Sequence, residues 1–149
     1  MTHLLSAVST HVTEQPDSPA LWRMVDGAYQ SISYREMWDQ VQCLSTVLLA
    51  LGVSEGAHVA LMSSNRPEWV VSDMALLCNR MVNVPLYPTL SAEDMAYIIH
   101  NAGIEMLILE NQTMLDLFLS VQESCPTVRS VVVFDAVNVP QDSPVLIHS

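Results

Sequence analysis

From His58 to Asp135 short runs of Val, Ile, Leu and Met alternate with stretches long enough for about three helical turns, and that rhythm confines the chain to few folds. Strands are expected over His58–Ser63, Met81–Leu86, Glu105–Glu110 and Ser130–Asp135, with helices over Pro67–Asn79, Ala92–Ala102 and Thr113–Glu123 between them. Apolar runs that do not alternate with polar residues need burial on both faces, and a helix between two of them brings the chain back in the same direction. The predicted fold class is therefore α/β, layered, with a mainly parallel sheet and helices on both faces.

Ahead of this repeat, residues 3–14 are expected to form a short helix that Gln15-Pro16-Asp17-Ser18-Pro19 ends. Residues 20–25 and 28–33 read as a β-hairpin turning at Asp26-Gly27, a pair at ease with positive φ. Tyr34, Met37, Val41, Leu44, Leu48 and Leu51 then lie on one helical stripe, with Ser33 and Glu36 spaced as a capping box and Gly52 as a left-handed stop. The stripe is too short for a coiled coil and predicts a core-facing amphipathic helix. The helix over Pro67–Asn79 is apolar nearly all round, which implies cover on more than one side. Residues 136–149 contain prolines and no period, and a loop or frayed end is expected there.

Sixteen acidic residues against five arginines give a net charge of −11, which disfavours nucleic acid and other polyanions as partners. Cys43, Cys78 and Cys125 form no CxxC pair, and with no secretory leader they read as reduced, packed thiols of a cytoplasmic protein. No apolar run reaches the roughly 18 residues that a membrane span needs. A peripheral membrane contact and a homo-oligomer remain compatible with the composition.

Few residues invite a chemical role. Asn65, with Pro67 and Glu68 after it, stands where a helix N-terminus could hold an anion; an N-cap is the better reading, because Asn-x-x-Glu satisfies the same donors and Glu68 repels anions. Asp73 lies in the most apolar helix and is expected to pair with Arg66, Arg80 or a backbone donor, or to face further polypeptide, rather than act as an acid or base. Glu93 and Asp94 are first-turn residues after Ser91 that complement the helix dipole. His3, His11, His58, His100 and His148 have no zinc-type spacing, Ser63-Ser64 lacks the glycines of a nucleophile elbow, and the nine methionines read as core filling. No catalytic, cofactor-binding or metal-binding residue is assigned.

Asn65-Arg66-Pro67-Glu68-Trp69-Val70-Val71-Ser72-Asp73-Met74-Ala75, followed by Val82-Asn83-Val84-Pro85-Leu86-Tyr87-Pro88-Thr89, resembles the N-terminal part of the adenylate-forming acyl-CoA synthetases. The Pro-Leu-Tyr-Pro-Thr ending is most similar to the long-chain-fatty-acid CoA ligases. Ser33-Tyr34-Arg35-Glu36 with Leu51-Gly52-Val53 upstream, and Ser91-Ala92-Glu93-Asp94 with Asn101-Ala102-Gly103 downstream, extend the resemblance over residues 17–135. Two departures stand out. Ala57-His58 replaces the family's usual Asp after Gly56, and Asn79-Arg80 stands where a Gly usually precedes the strand, a change expected to be absorbed by Asn79 in the left-handed conformation.

The resemblance implies that residues 1–149 are the N-terminal portion of the large AMP-binding domain of an enzyme that activates a fatty acid with ATP and Mg2+ to an acyl-adenylate and transfers it to CoA. Its partners would be the remainder of the same polypeptide and the fatty acid. The family's phosphate loop is rich in Ser, Thr and Gly and ends in Lys; this chain has no Lys, and Gly27, Gly52, Gly56 and Gly103 never cluster. The chain is thus expected to be a truncated N-terminal piece, inactive alone and binding none of these cofactors. A stand-alone flavodoxin-like interaction or regulatory domain, and a piece of another adenylating enzyme such as an aryl-CoA ligase or a peptide-synthetase adenylation domain, are the alternatives.

Overall fold

In a computed structural model that describes residues 4–140 and 143–149, the chain opens with α1 (Leu4–Glu14), the strands β1 (Pro19–Val25) and β2 (Ala28–Ser33), and α2 (Tyr34–Ala50). The alternating part follows as β3 (His58–Met62), α3 (Pro67–Cys78), β4 (Val82–Leu86), α4 (Ala92–Ala102), β5 (Met106–Leu109), α5 (Gln112–Leu119), β6 (Ser130–Val133) and β7 (Leu146–His148). His3, the first residue of the expected N-terminal helix, lies outside the described residues.

β1 and β2 pair antiparallel as a separate two-stranded sheet, and their turn places Asp26 at φ 49° and Gly27 at φ 78°, the pair of positive values that a tight hairpin twist requires. The other strands form one five-stranded sheet in the order β4-β3-β5-β6-β7, and every neighbouring pair is parallel. The period of two along each strand sorts the core into two layers. Ala60, Met62, Leu107, Leu109, Val131 and Val133 pack with Met95 and Ile99 of α4 and Leu115 and Phe118 of α5. Val59, Leu61, Met106 and Ile108 face the other way, onto Met37, Val41 and Leu48 of α2 and Val71, Ala75 and Leu76 of α3. Each fully buried Leu or Ile contributes roughly 2 kcal/mol before chain entropy is charged against it.

The capping box at the start of α2 is present: Ser33 Oγ accepts from the Glu36 amide, and the Glu36 carboxylate accepts from the Ser33 amide. α3 is covered by α1, α2 and β1, which accounts for its lack of a polar face, and leaves Leu77 exposed.

Three expectations need correction. The tail is not a free end throughout, because Leu146–His148 return as β7 beside β6, with Val145 buried in the core. Three residues after Pro144 are too few to show a period. The helix expected over Thr113–Glu123 stops at Leu119 and is followed by a single 3-10 turn at Gln122–Ser124. There the Ser120 hydroxyl bonds the Leu117 carbonyl, a local bond that competes with helix propagation. The left-handed residue between α3 and β4 is Arg80, at φ 58°, and not Asn79, at φ −91°.

Candidate functional site

In an open parallel sheet the functional crevice lies beyond the carboxyl ends of the strands, where the strand order reverses. β3 has β4 on one side and β5 on the other, so the reversal falls at β3. The loop leaving β3, Ser63 to Arg66, therefore occupies the position where a site is expected.

Two adjoining clefts use that loop. One, about 570 Å³, is lined by Ser63, Ser64, Asn65, Trp69, Leu86 and Tyr87, with Pro85 and Pro88 beside them. The other, about 390 Å³, lies between the hairpin and the start of α3 and is lined by Leu21, Trp22, Arg66, Pro67 and Val70 as well as Asn65 and Trp69. Trp69 and Asn65 are common to both. Aromatic and proline walls with a few hydroxyl and amide groups suit a mainly apolar ligand of modest size.

Arg66 organises the loop. It is the N-cap residue of α3, and its guanidinium, which has no acceptor, makes no side-chain cap bond. Its guanidinium donates to Glu68 at 2.9 and 3.2 Å and to Asp135 at 3.0 Å, lies 3.8 Å from Glu110, and stacks 5.6 Å from the Phe134 ring centre. Glu110 also accepts from the Ser64 amide at 2.6 Å and the Ser63 hydroxyl at 3.2 Å. The ends of β3, β5 and β6 are thereby joined through one cation and two carboxylates, and Glu68 ties in the first turn of α3. The Glu68 hydrogen bond pushes the Arg66 pKa up and the same contact holds Glu68 below the usual carboxylate range. Burial pushes Glu110 up, but hydrogen bonds from Ser64 and Ser63 and the charge of Arg66 outweigh it and hold the carboxyl low.

Asn65 is exposed and caps nothing; Arg66 takes the cap position, and Glu68 bonds Arg66 instead of closing a capping box. Asp73 accepts a 2.7 Å bond from the side-chain amide of Asn83 rather than pairing with an arginine, since Arg66 is held by its carboxylates and Arg80 reaches Glu55. Glu93 and Asp94 do lie in the first turn of α4, where Ser91 caps the Asp94 amide. Ser63 and Ser64 come to the cleft as wall residues. Burial raises the thiol pKa of Cys78 and of Cys125, which makes both poor nucleophiles. The Arg66–Glu110–Asp135 cluster was not legible in advance, because its members lie far apart in the chain.

A nucleotide triphosphate does not fit the residues present. The cation at the crevice, Arg66, is committed to carboxylates, and the left-handed glycines Gly27, Gly52, Gly56 and Gly103 stand in turns remote from the cleft lining. No step through ATP is derived from this chain. Among the described residues no helix is long and apolar enough to cross a membrane.

The fold and this crevice define an open parallel α/β unit with a cleft at its switch point, and comparison with known proteins supplies the family. The family model described as AMP-binding enzyme matches residues 8–149, and the chain belongs to that family. It is 28% identical over 129 residues to a long-chain-fatty-acid CoA ligase of Mycobacterium bovis, covering 87% of this chain and 22% of the relative. It is 35% identical over 107 residues to a peroxisomal long chain acyl-CoA synthetase of Arabidopsis thaliana, covering 72% of this chain and 15% of that protein. Among solved structures, a coronafacic acid ligase of Pectobacterium brasiliense superposes with a TM-score of 0.86 at 18% identity, over 99% of this chain and 28% of that one. An acetoacetyl-CoA synthetase of Streptomyces lividans gives 0.80 at 21% identity, over 94% of this chain and 23% of that chain. These likenesses establish the α/β architecture. The chain spans about a fifth of the length of the curated relatives it matches.

Proposed function

We propose that this chain is the N-terminal part of a ligase that activates a fatty acid with ATP to an acyl-adenylate and passes the acyl group to CoA. The observation that carries the reading is the run of curated relatives named for long-chain fatty acids, at 28–35% identity over most of this chain. The apolar lining of the cleft at the β3 and β4 ends agrees with a substrate of low polarity. In this reading the phosphate-binding loop, the Mg2+ site and the CoA site belong to the remainder of the same polypeptide. The 149-residue chain alone then forms no adenylate.

Pyrophosphate exchange with palmitate and with octanoate tests this, run on the 149-residue chain and on a longer polypeptide that contains it. Exchange is expected only from the longer polypeptide. Exchange by the short chain overturns its proposed dependence on the missing loop. A longer polypeptide that ignores both fatty acids and activates an aryl or amino acid moves the assignment to another branch of the family.

A further inference from the structure

At the strand-order reversal the backbone amide of the loop leaving β3 is occupied by the protein's own side chain. A backbone N–H pointing out of the end of a parallel strand is a ready anion site. Here the amide of Ser64 is already bonded by Glu110, from the neighbouring strand end, at 2.6 Å. The same carboxylate holds the Ser63 hydroxyl and faces Arg66. Ser63, Ser64 and Asn65 form one wall of the larger cleft, while Glu110 is absent from its lining.

We propose that Glu110 is a positioning residue for the cleft: it plugs the crevice between β3 and β5, fixes the Ser63–Arg66 loop, and leaves the β3–β4 side as the ligand's entrance. Two attachments are needed to hold a loop in one place. Glu110 supplies one at Ser64, and the bonds from Arg66 to Glu68 and Asp135 supply the other. An anionic group is kept from the Ser64 amide by an anion already there, so the ligand part that meets this wall is uncharged.

The test is amide exchange and NMR on the 149-residue chain. In Glu110→Gln the shape stays and the charge goes, so exchange at the Ser64 amide should speed up about tenfold, the loss of a charge-assisted bond, while Leu107 and Ile108 in the middle of β5 stay protected. The Trp69 indole resonance should shift with it, because Trp69 shares the cleft. Ser64 exchange within twofold of the parent, with Trp69 unmoved, overturns the proposal. Should the variant not fold, titration of the unaltered chain decides. The Ser64 amide should move as pH falls through a carboxyl titration below the ordinary glutamate range, and no movement down to the onset of acid unfolding refutes the role. The charged groups facing Glu110 are Arg66 and, through it, Glu68 and Asp135.

Discussion

Three helices of this chain end on the same motif, and one of them uses the wrong residue for it. After α2 the Gly52 amide bonds the Leu49 carbonyl and the Val53 amide bonds Leu48; after α4 Gly103 bonds His100 and Ile104 bonds Ile99. After α3 the same pair appears, Arg80 to Leu77 and Met81 to Leu76, with both Met81 and Leu76 buried. The left-handed φ is 78° at Gly52, 60° at Gly103 and 58° at Arg80. A side chain in that conformation costs about 1–2 kcal/mol, whereas glycine costs about 0.5–1 kcal/mol of chain entropy. The ion pair from Arg80 to Glu55, 3.1 Å long between side chains 76% and 63% exposed, adds little, in the range of about 0–1 kcal/mol. Arg80→Gly is therefore expected to stabilise the chain by about 0.5 kcal/mol, which at a urea slope near 2 kcal/mol/M raises the midpoint by about 0.25 M. Arg80→Asn should do nearly as well. Gly52→Ala and Gly103→Ala should lower stability by about 0.5–1 kcal/mol, since no heavy atom lies within 4 Å of the added methyl at either site and backbone strain alone is read. Glu55→Gln isolates the ion pair. A destabilised Arg80→Gly beside a neutral Glu55→Gln would refute the strain argument.

Asn111 and Asn65 provide a matched pair. Asn111 caps the Met114 amide of α5, so Asn111→Ala should cost about 1 kcal/mol in urea unfolding, while Asn65→Ala should leave the midpoint unchanged. Asn79→Ala removes two part-buried bonds to Ser45, at 2.7 and 2.8 Å, and should cost about 2 kcal/mol in the same assay. The fully buried Ser72 hydroxyl has no hydrogen-bond partner among the described residues, so Ser72→Ala should stabilise by about 1 kcal/mol, read as a rise in Tm. Glu68 and Glu110 have folded pKa values below their unfolded ones, so their contribution is complete above the ordinary glutamate pKa and is lost as pH falls through the lowered values. Urea midpoints measured from pH 7 downward should drop in that acid window, and the double variant Glu68→Gln with Glu110→Gln should flatten the drop.

The elements were legible where one physical cause acts within a few residues. The α2 stripe and its capping box, the Asp26-Gly27 turn and the buried runs of β3, β5 and β6 are local patterns, and the structure has each of them. The crevice was not legible. Arg66 and Asp135 are 69 positions apart, Ser64 and Glu110 46 apart, and no period links such pairs before the sheet brings strand ends together. The two errors at the ends of α3 are of another kind, each a shift of one residue. Hydrophobic spacing locates a helix, but it does not say which residue leaves helical φ. At the N-terminus the extended residue is Arg66, whose guanidinium has no acceptor with which to cap and is held by Glu68, Glu110 and Asp135. At the C-terminus Asn79 is the better left-handed residue by type, yet at φ −91° its side-chain amide already accepts from the Ser45 hydroxyl and donates to the Ser45 carbonyl on α2. Two demands fall on one stretch of chain, and the tertiary bonds hold Asn79 in place. The left-handed step then passes to Arg80, whose exposed side chain makes only a solvent-screened ion pair to Glu55, and the strain at that position follows from the packing of α3 against α2.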